Sequence, residues 1–334
     1  MSRRLVIVLV PVSFVVITLS VVTGLWVYEN LIRKGKGSPP PPPPVHVDTG
    51  DKLPTQEDFD ALAKTDPVKM LSVGLSRYER EVKDGVRFTF EMQERVKGSP
   101  KHPEAPPVQV IDVCVRGDVP DPATANTAIE VVMKWRAGAK KPAGLSIAAE
   151  ITGSLFSEKP PPDGFGGKVV TWQREKRFGA PVSDPMGANS ALAQGQSRYC
   201  IRDAGLYRTM LRTHTAWKAR QDAGEFKYEY LGTEVVEKAG GRECHKIRRI
   251  CVRTEVDAFE LGGKASNDPK VVAAEGFTEV VLYIDRERWL QVGSEVYRTE
   301  GDTKVTVGTY FFRDVDLKPT FADDTFDRER WHKK

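Results

Sequence analysis

The stretch from Phe277 to Asp327 constrains the fold of this chain most, because it alternates apolar runs with short charged turns. The apolar runs are Phe277 to Ile284, Trp289 to Tyr297 and Val305 to Val315. Turns as short as Asp285 to Arg288 join neighbouring antiparallel strands. The stretch therefore predicts a β-meander.

The last of these runs carries bulky side chains on both sides. Val307 and Phe311 fall on one face, and Tyr310 and Phe312 fall on the other, because successive side chains of a strand point to opposite faces. Both faces of a sheet that is apolar on both sides have to be shielded from water. We expect one face to border a cavity or to lie under a lid, and this is the main clue to function in the sequence.

A helix followed by strands is predicted at the start of the folded part. Asp66 suits the N-cap and Pro67 the first turn of a helix whose apolar positions recur at steps of three and four. This helix is the first folded element that the pattern predicts. From Val86 to Met92 the apolar positions change to period two, which indicates a strand.

Further elements alternate along the rest of the chain. Strands are predicted at 108–116, 128–136, 169–173, 226–231, 233–237 and 244–252, and a weak strand at 145–151 within the loop-rich segment 137–167. The segment 190–223 is predicted to turn helical. Strands that follow one another without helices between them indicate an antiparallel sheet. The predicted class is α+β, with a strongly curved antiparallel sheet covered by helices.

The first 54 residues have a different character. Leu5 to Val27 is an uncharged apolar run, long enough to cross about 30 Å of hydrocarbon as a helix, and six consecutive prolines follow at Pro39 to Pro44. We predict an N-terminal membrane anchor with a single transmembrane helix at 1–32, a proline-rich linker at 33–54 and an exported domain at 55–334. A cleaved signal peptide is the alternative, although its apolar core is usually shorter.

Charge and cysteine content restrict the function classes. The net charge is +4 with both signs interspersed, and no basic block suggests nucleic acid. Cys114, Cys200, Cys244 and Cys251 could form disulfides in an exported domain, and free buried thiols are the alternative. Cys244 and Cys251 would point to opposite faces of one strand, so a direct bond between them is not expected.

No catalytic or metal-binding motif stands out. The five histidines form no HExxH pair, and no GxSxG elbow occurs. Gly164 to Lys168 superficially resembles a phosphate loop, but Val169 replaces the Ser or Thr that would hold magnesium. The acidic residues from Asp314 to Asp327 lack the spacing of a calcium loop. We therefore predict no enzyme activity, no cofactor and no metal.

The candidate site consists of aromatic side chains on the predicted strands. As a group they would line an apolar cavity on the concave side of a bent sheet, although each one alone suits an ordinary core. The candidate lining residues are Phe88, Phe90, Trp135, Trp172, Tyr228, Tyr283, Trp289, Tyr297, Tyr310 and Phe312.

Several short motifs occur in a recognisable order. They are Asp66–Leu71, Met133–Trp135, Tyr230–Glu234, Gly241–Ile247, Leu282–Asp285 and Tyr310–Val315. This order resembles a bacterial envelope family of unknown function, similar to the LolA-type lipoprotein carriers, which include LolA and LolB, the lipid-binding proteins LppX and LprG, and the sensor RseB. The resemblance implies a half-open antiparallel barrel around an apolar cavity in which relatives hold acyl chains. One departure is Gln291, where related sequences often have Pro.

The hypothesis that follows is a membrane-tethered, non-enzymatic binding domain for a lipid or a lipidated protein in the bacterial cell envelope. Its expected partners are acyl chains or lipoproteins, and the membrane through the N-terminal helix. We expect a single-pass inner-membrane protein with its large C-terminal domain in the periplasm, an orientation that rests partly on the resemblance. An envelope sensor or scaffold that binds a protein partner is one alternative, and an envelope hydrolase is another.

Overall fold

A computed structural model of the chain describes residues 52–94, 107–119, 128–138, 151–162, 164–173, 185–188, 199–256 and 268–332. The predicted membrane anchor at 1–32 and the linker up to residue 51 lie outside these residues. Within them, no helix is both long enough and apolar enough to cross a membrane.

The described residues form helices and strands that follow the predicted α+β pattern. The helices are α1 (Gln56–Thr65), α2 (Pro67–Glu81), α3 (Leu206–Asp222), α4 (Pro269–Glu275) and α5 (Arg328–His332). The strands are β1 (Gly85–Glu94), β2 (Gln109–Arg116), β3 (Glu130–Ala137), β4 (Ile151–Ser157), β5 (Lys168–Gln173), β6 (Met186–Gly187), β7 (Lys227–Val236), β8 (Arg242–Glu255), β9 (Phe277–Asp285), β10 (Gln291–Glu300) and β11 (Thr303–Asp316).

All of these strands belong to one sheet. It has 11 strands in the order β6-β5-β4-β3-β2-β1-β11-β10-β9-β8-β7. Every neighbouring pair is antiparallel, and β1 next to β11 joins the two halves of the chain. Among the described strands no pairing connects β6 to β7, so the sheet has two free edges. The predicted antiparallel sheet and the meander over β9 to β11 are confirmed.

The strand register separates two faces, because residues paired across strands point to the same side. The inner face is the side that carries Phe90 of β1, Phe312 of β11 and His245 of β8. Helix α1 contacts this face, since Asp60 bonds to His245. The outer face is the opposite side, which carries Trp172 of β5.

Helix α2 starts where the sequence predicts. The Asp66 carboxylate accepts a hydrogen bond of 3.0 Å from the Lys69 amide, and Pro67 occupies the first turn, where its missing N–H costs nothing. Its apolar side, including Met70 and Leu71, is buried in the main core. The prediction that this helix comes first is wrong, because α1 precedes it.

The sequence pattern does not predict helix α1, because the apolar side of this helix is narrow. Only Phe59 and Ala63 of this helix are buried. Its start is instead fixed by polar contacts, since Thr55 and Asp58 form a capping box. Two buried apolar positions over ten residues do not make a recognisable stripe.

Two predicted strand boundaries differ from the structure. The weak strand predicted at 145–151 overlaps the observed β4, Ile151–Ser157, at one residue, and 139–150 lie outside the described residues. The predicted strands 226–231 and 233–237 form one strand, β7, with a shift in register between Tyr230 and Thr233. Gly232 has a φ of 97°, a conformation that glycine adopts without a steric penalty.

The outer face is covered in two places. Behind β3 to β5, Phe326 of the C-terminal segment packs with Val132, Leu155, Val170 and Trp172 in a second, smaller core. Near β11, the 3-10 turn at Glu237–Ala239 places the Lys238 ammonium group 5.2 Å from the centre of the Phe311 ring. Both faces of the sheet are thus partly buried, as the bulky apolar side chains on both faces predict.

Candidate functional site

The candidate site is a cluster of rings on the inner face, which we call the aromatic site: Phe90, Trp135, Tyr199, Tyr310 and Phe312. The rings of Phe90 and Phe312 are stacked, with centres 5.0 Å apart and planes 10° apart. Phe90 also lies parallel to Tyr310, at 6.3 Å. Tyr199 meets Tyr310 edge-on, with ring centres 5.0 Å apart.

Strand register builds this cluster. Trp135 pairs with Ile111, Ile111 pairs with Phe90, and Phe90 pairs with Phe312. These pairings form one row of large side chains across β3, β2, β1 and β11. Rows of this kind arise because side chains at paired positions stand about 5 Å apart on the same face. The row places residues that are far apart in sequence on one continuous apolar surface.

The aromatic site is only partly packed. Phe312 and Tyr310 are buried, whereas Phe90, Trp135 and Tyr199 keep an intermediate exposure. The Trp135 indole N–H donates a hydrogen bond of 2.8 Å to the Gln109 side-chain oxygen, so its polar group is satisfied within the protein. What remains accessible is ring surface, which suits an apolar ligand rather than a polar one.

Other predicted site residues pack elsewhere on the inner side. Phe88 is buried beneath the aromatic site, with its ring edge-on to Phe312 at 5.4 Å. The Tyr228 hydroxyl donates to the carbonyl oxygens of Lys64 and Thr65 at the end of α1. Tyr228 therefore holds α1 rather than lining the aromatic site.

Trp289 lies in the turn between β9 and β10 and fixes α1 to that turn. Its ring stacks on Phe59 with centres 4.4 Å apart, and its N–H donates to the Gln56 side-chain oxygen at 2.9 Å. The Arg77 guanidinium lies 4.5 Å from the centre of the same ring. Trp289 is therefore part of a packed helix contact.

The remaining predicted residues face the outer side of the sheet. Tyr283 and Tyr297 both donate hydrogen bonds of 2.8 Å to the same oxygen of Glu295. Trp172 lies over Gly153, its partner in the strand register, within the second core. The structure thus brings Phe90, Trp135, Tyr310 and Phe312 together with Phe88 beneath them, and it separates the other predicted residues from this group.

Tyr199 is the member of the aromatic site that the sequence pattern does not assign to it. The pattern places Tyr199 on a helix, whereas it precedes the 3-10 turn Ile201–Asp203. The Arg212 guanidinium lies 4.7 Å from the centre of the Tyr199 ring, which orients the ring toward Tyr310. No local signal in the sequence indicates this packing, because it depends on where α3 crosses the sheet.

One polar constellation resembles a catalytic triad. The Tyr230 hydroxyl lies 3.1 Å from Nδ1 of His245, and Nε2 of His245 lies 2.8 Å from Oδ1 of Asp60. Burial lowers the pKa of His245 despite the nearby Asp60 carboxylate, and burial raises the pKa of Tyr230. Tyr230 is therefore held as the neutral phenol, which is a poor nucleophile. Arg286 also pairs with Asp60, at 2.6 Å, so the group fastens α1 to the sheet.

None of the cysteines among the described residues forms a disulfide bond. Burial raises the pKa of Cys200 to about 11 and that of Cys244 to about 12, so both are protonated at neutral pH. Only the thiolate is a strong nucleophile or metal ligand. In the part of the chain that the structure describes, no three His, Cys, Asp or Glu side chains are grouped to hold a metal ion.

Known proteins offer little guidance. No family model matches the chain, and no curated protein matches it. Among solved structures, a LolA superfamily protein from Nitrosomonas europaea is 10% identical, with 77% of this chain and 97% of that chain covered and a TM-score of 0.25. A β-barrel-like protein of a domain of unknown function from Brucella abortus is 9% identical, with 71% and 100% covered and a TM-score of 0.22. Both TM-scores are below 0.5, so the fold described above rests on the strand order and register of this chain.

Proposed function

We propose that this protein is a membrane-tethered binding domain for a lipid or a lipidated protein of the bacterial cell envelope, and that it is not an enzyme. The observation that carries the proposal is the row from Trp135 to Phe312 on the inner face, in which the rings of Trp135 and Phe90 are only partly covered. In a protein interior such rings are normally packed on all sides. Their exposed surface would be covered by an acyl chain.

Binding of this kind needs no reactive group. Covering about 200 Å² of apolar surface contributes on the order of 5 kcal/mol. Part of that gain is offset by the loss of ligand freedom. The neutral Tyr230 and the protonated thiols of Cys200 and Cys244 support a non-enzymatic function.

The proposed location follows from the sequence before residue 55. An apolar run at Leu5 to Val27 would anchor the chain in the inner membrane, and the prolines Pro39 to Pro44 would hold the domain off the surface. A domain tethered by so short a spacer would accept, hand over or sense its ligand locally. The open sheet would then correspond to the half-open barrel of LolA-type carriers.

The proposal is tested by titrating the purified, delipidated full chain with a fluorescent fatty acid. We expect saturable binding that weakens about tenfold in Phe90→Ala, because a partly exposed ring on the ligand surface is lost. Phe321→Ala is the matched control, because Phe321 packs with the outer core. Unsaturable binding, or equal loss in both variants, would refute the proposal.

A second candidate is an envelope sensor or scaffold, and the edge of the sheet favours it. Leu231 and Val235 of edge strand β7 are 41% and 61% exposed, and Ile250 and Val252 of β8 are 41% and 50% exposed. An accessible edge with apolar side chains can pair with a strand of another protein. A photo-crosslinking side chain at Val235, compared with one at exposed Arg87, would show whether β7 contacts a specific partner in membranes.

A further inference from the structure

Strand β7 forms one edge of the sheet, and among the described residues it pairs with β8 alone. The strand at the opposite edge, β6, has two residues, whereas β7 has 10. A long edge strand can pair with another chain, because its outward backbone N–H and C=O groups have no partner in the sheet. The edge at β7 is therefore able to accept a further strand.

The side chains at the start of β7 alternate between aromatic and charged. Phe226, Tyr228 and Tyr230 lie toward the inner face, and the rings of Phe226 and Tyr228 stack with centres 5.4 Å apart. Lys227 and Glu229 lie between them on the outer face and are exposed. Positions 226–230 thus read aromatic, positive, aromatic, negative, aromatic. Such a pattern is complementary to its own reversed copy.

An antiparallel partner strand presents this segment in reverse order. With Tyr228 opposite Tyr228 of a second copy, Lys227 of each copy lies opposite Glu229 of the other. Phe226 then lies opposite Tyr230 on the inner face. Side chains directly opposite each other stand about 5 Å apart. The pairing therefore forms ion pairs on the outer face and aromatic contacts on the inner face.

Charge favours this register over the neighbouring ones. Inner side chains have to stay opposite inner side chains, so the register can move only in steps that keep the faces aligned. A pairing centred on Lys227 would place that ammonium group opposite itself, and one centred on Glu229 would bring two carboxylates together. Like charges at opposite positions destabilise a strand pair. The shift in register between Tyr230 and Thr233 limits the regular part of the edge to its first residues.

Neither charge is fully used within the chain. Glu229 pairs with Arg248, yet its side chain is still 48% exposed. Lys227 forms no ion pair or hydrogen bond with another described residue. Charged side chains on an edge normally repel foreign strands. Here the two opposite signs admit a strand with the matching order of charges, and a second copy supplies that order.

We propose that two copies of this chain pair through β7, antiparallel and two-fold symmetric about Tyr228, so that their sheets join into one. Two-fold contacts in which the same patch serves both subunits are the commonest in homo-oligomers. Both inner faces then lie on the same side of the joined sheet, and both aromatic sites face that side. The pairing goes beyond the proposed function and does not depend on it. The second candidate function would use the same edge for a different protein.

Engineered cysteines test the register in the purified full chain. Copies with Lys227→Cys and copies with Glu229→Cys are mixed under mild oxidation, which traps even a short-lived dimer. We expect a disulfide between the two variants, because opposite residues lie within the Cα distance of about 4.4–6.8 Å that a disulfide spans. Either variant alone should give several-fold less covalent dimer, since its cysteines are then about 7–8 Å apart on the diagonal.

Thr233→Cys is the control for random collision, because Thr233 is exposed on the same strand beyond the shift in register. This variant and the wild type, which shows the background from the native cysteines, should give little covalent dimer. As much dimer from Thr233→Cys as from the mixed pair would overturn the proposal. A mixed pair that gives no more dimer than either variant alone would also overturn it.

Charge reversal gives a second measurement that does not need the mixed pair. Tyr228→Cys should crosslink with itself, because Tyr228 lies on the two-fold axis. Adding Lys227→Glu or Glu229→Lys should slow this crosslinking about tenfold, and adding both should restore it. Lys83→Glu is the matched control, since Lys83 is exposed between α2 and β1, away from β7 in the sheet. It should leave the rate unchanged.

The remaining outcomes distinguish a second copy from other occupants of the edge. Slow crosslinking in both single reversals without recovery in the double reversal would show that the two charges do not face each other, and would contradict the proposal. In membranes of the producing cell, a Tyr228→Cys disulfide to a different protein, with none to a second copy, would support the second candidate function and overturn the proposal. The proposed binding of acyl chains would stand in either case, because the aromatic site takes no part in the pairing.

Discussion

The Tyr78 hydroxyl donates a hydrogen bond of 2.8 Å to Oδ2 of Asp118. The same oxygen accepts a bond of 2.9 Å from the amide of Tyr207 in the first turn of α3. One buried carboxyl group therefore links α2, the end of β2 and the start of α3. Gly205 permits this approach, because a Cβ at that position would lie 1.7 Å from Oδ1 of Asp118.

This carboxyl group should make stability depend on pH. Burial raises the pKa of Asp118, against the opposing hydrogen bonds from Tyr207 and Tyr78. The pKa of Asp118 is higher in the folded state than in the unfolded state. The stability that this group contributes is therefore fully present at pH values below its unfolded-state pKa. That contribution is lost as pH rises through the folded-state pKa. Asp118→Asn, which cannot ionise, should therefore gain stability relative to the wild type between pH 4 and pH 7.

Urea unfolding of both proteins at the two pH values measures this difference. A difference in free energy of unfolding that stays constant with pH would contradict the prediction. Asp118→Ala is the control for the hydrogen bonds alone, because it leaves the Tyr78 hydroxyl without its acceptor. That variant should lose roughly 1–3 kcal/mol at both pH values.

The contact between His245 and Asp60 should make the attachment of α1 sensitive to acid. Burial lowers the pKa of His245 below its ordinary value. The stability that this neutral imidazole contributes is present above the unfolded pKa and is lost as pH falls through the folded-state pKa. The protection factors of the amides over Gln56–Thr65, which compare the exchange rate with the intrinsic rate at the same pH, should therefore fall from pH 7 to pH 5 more in the wild type than in His245→Gln. The same fall in both proteins would assign it to another group.

At Gly74 the backbone of α2 lies against the turn between β9 and β10. A Cβ at this position would lie 2.5 Å from the backbone oxygen of Trp289, which cannot move away as a side-chain tip can. Gly74→Ala should therefore destabilise the fold by roughly 1–3 kcal/mol, although alanine favours a helix. Gly187→Ala is the control, because no atom lies within 4 Å of its Cβ position. Urea unfolding should show no destabilisation of that variant, and a neutral Gly74→Ala would contradict the described packing.

The sequence predicts the sheet better than it predicts the site. Period-two patterns identify β1 and β2, which bury one face more than the other, and apolar runs between short charged turns identify β9 to β11. The pattern does not reveal α1, whose position depends on Trp289 and Asp60 rather than on an apolar stripe. Polar contacts of this kind join residues that are distant in sequence. They therefore produce no periodic pattern of apolar residues in the local sequence.

The faces of the aromatic residues depend on register, which local sequence does not specify. Trp135 and Trp172 lie in similar apolar strands, yet they occupy opposite faces of the sheet. Shifts in strand register make the face of a residue harder to predict from sequence. One such shift occurs in the pairing of β10 with β11, between Val296 and Tyr297. A shift of one residue moves a side chain to the other face. Only the assembled sheet distinguishes the residues of the aromatic site from those behind it.

The most direct test of the account uses a dibrominated fatty acid, whose bromine atoms quench tryptophan fluorescence on contact. Of the six tryptophans of the full chain, Trp135 lies in the aromatic site and Trp172 on the outer face. The account predicts saturable quenching in the wild type and in Trp172→Phe, and loss of most of that quenching in Trp135→Phe. Quenching that persists in Trp135→Phe and disappears in Trp172→Phe would place the acyl chain on the wrong side of the sheet and contradict the account.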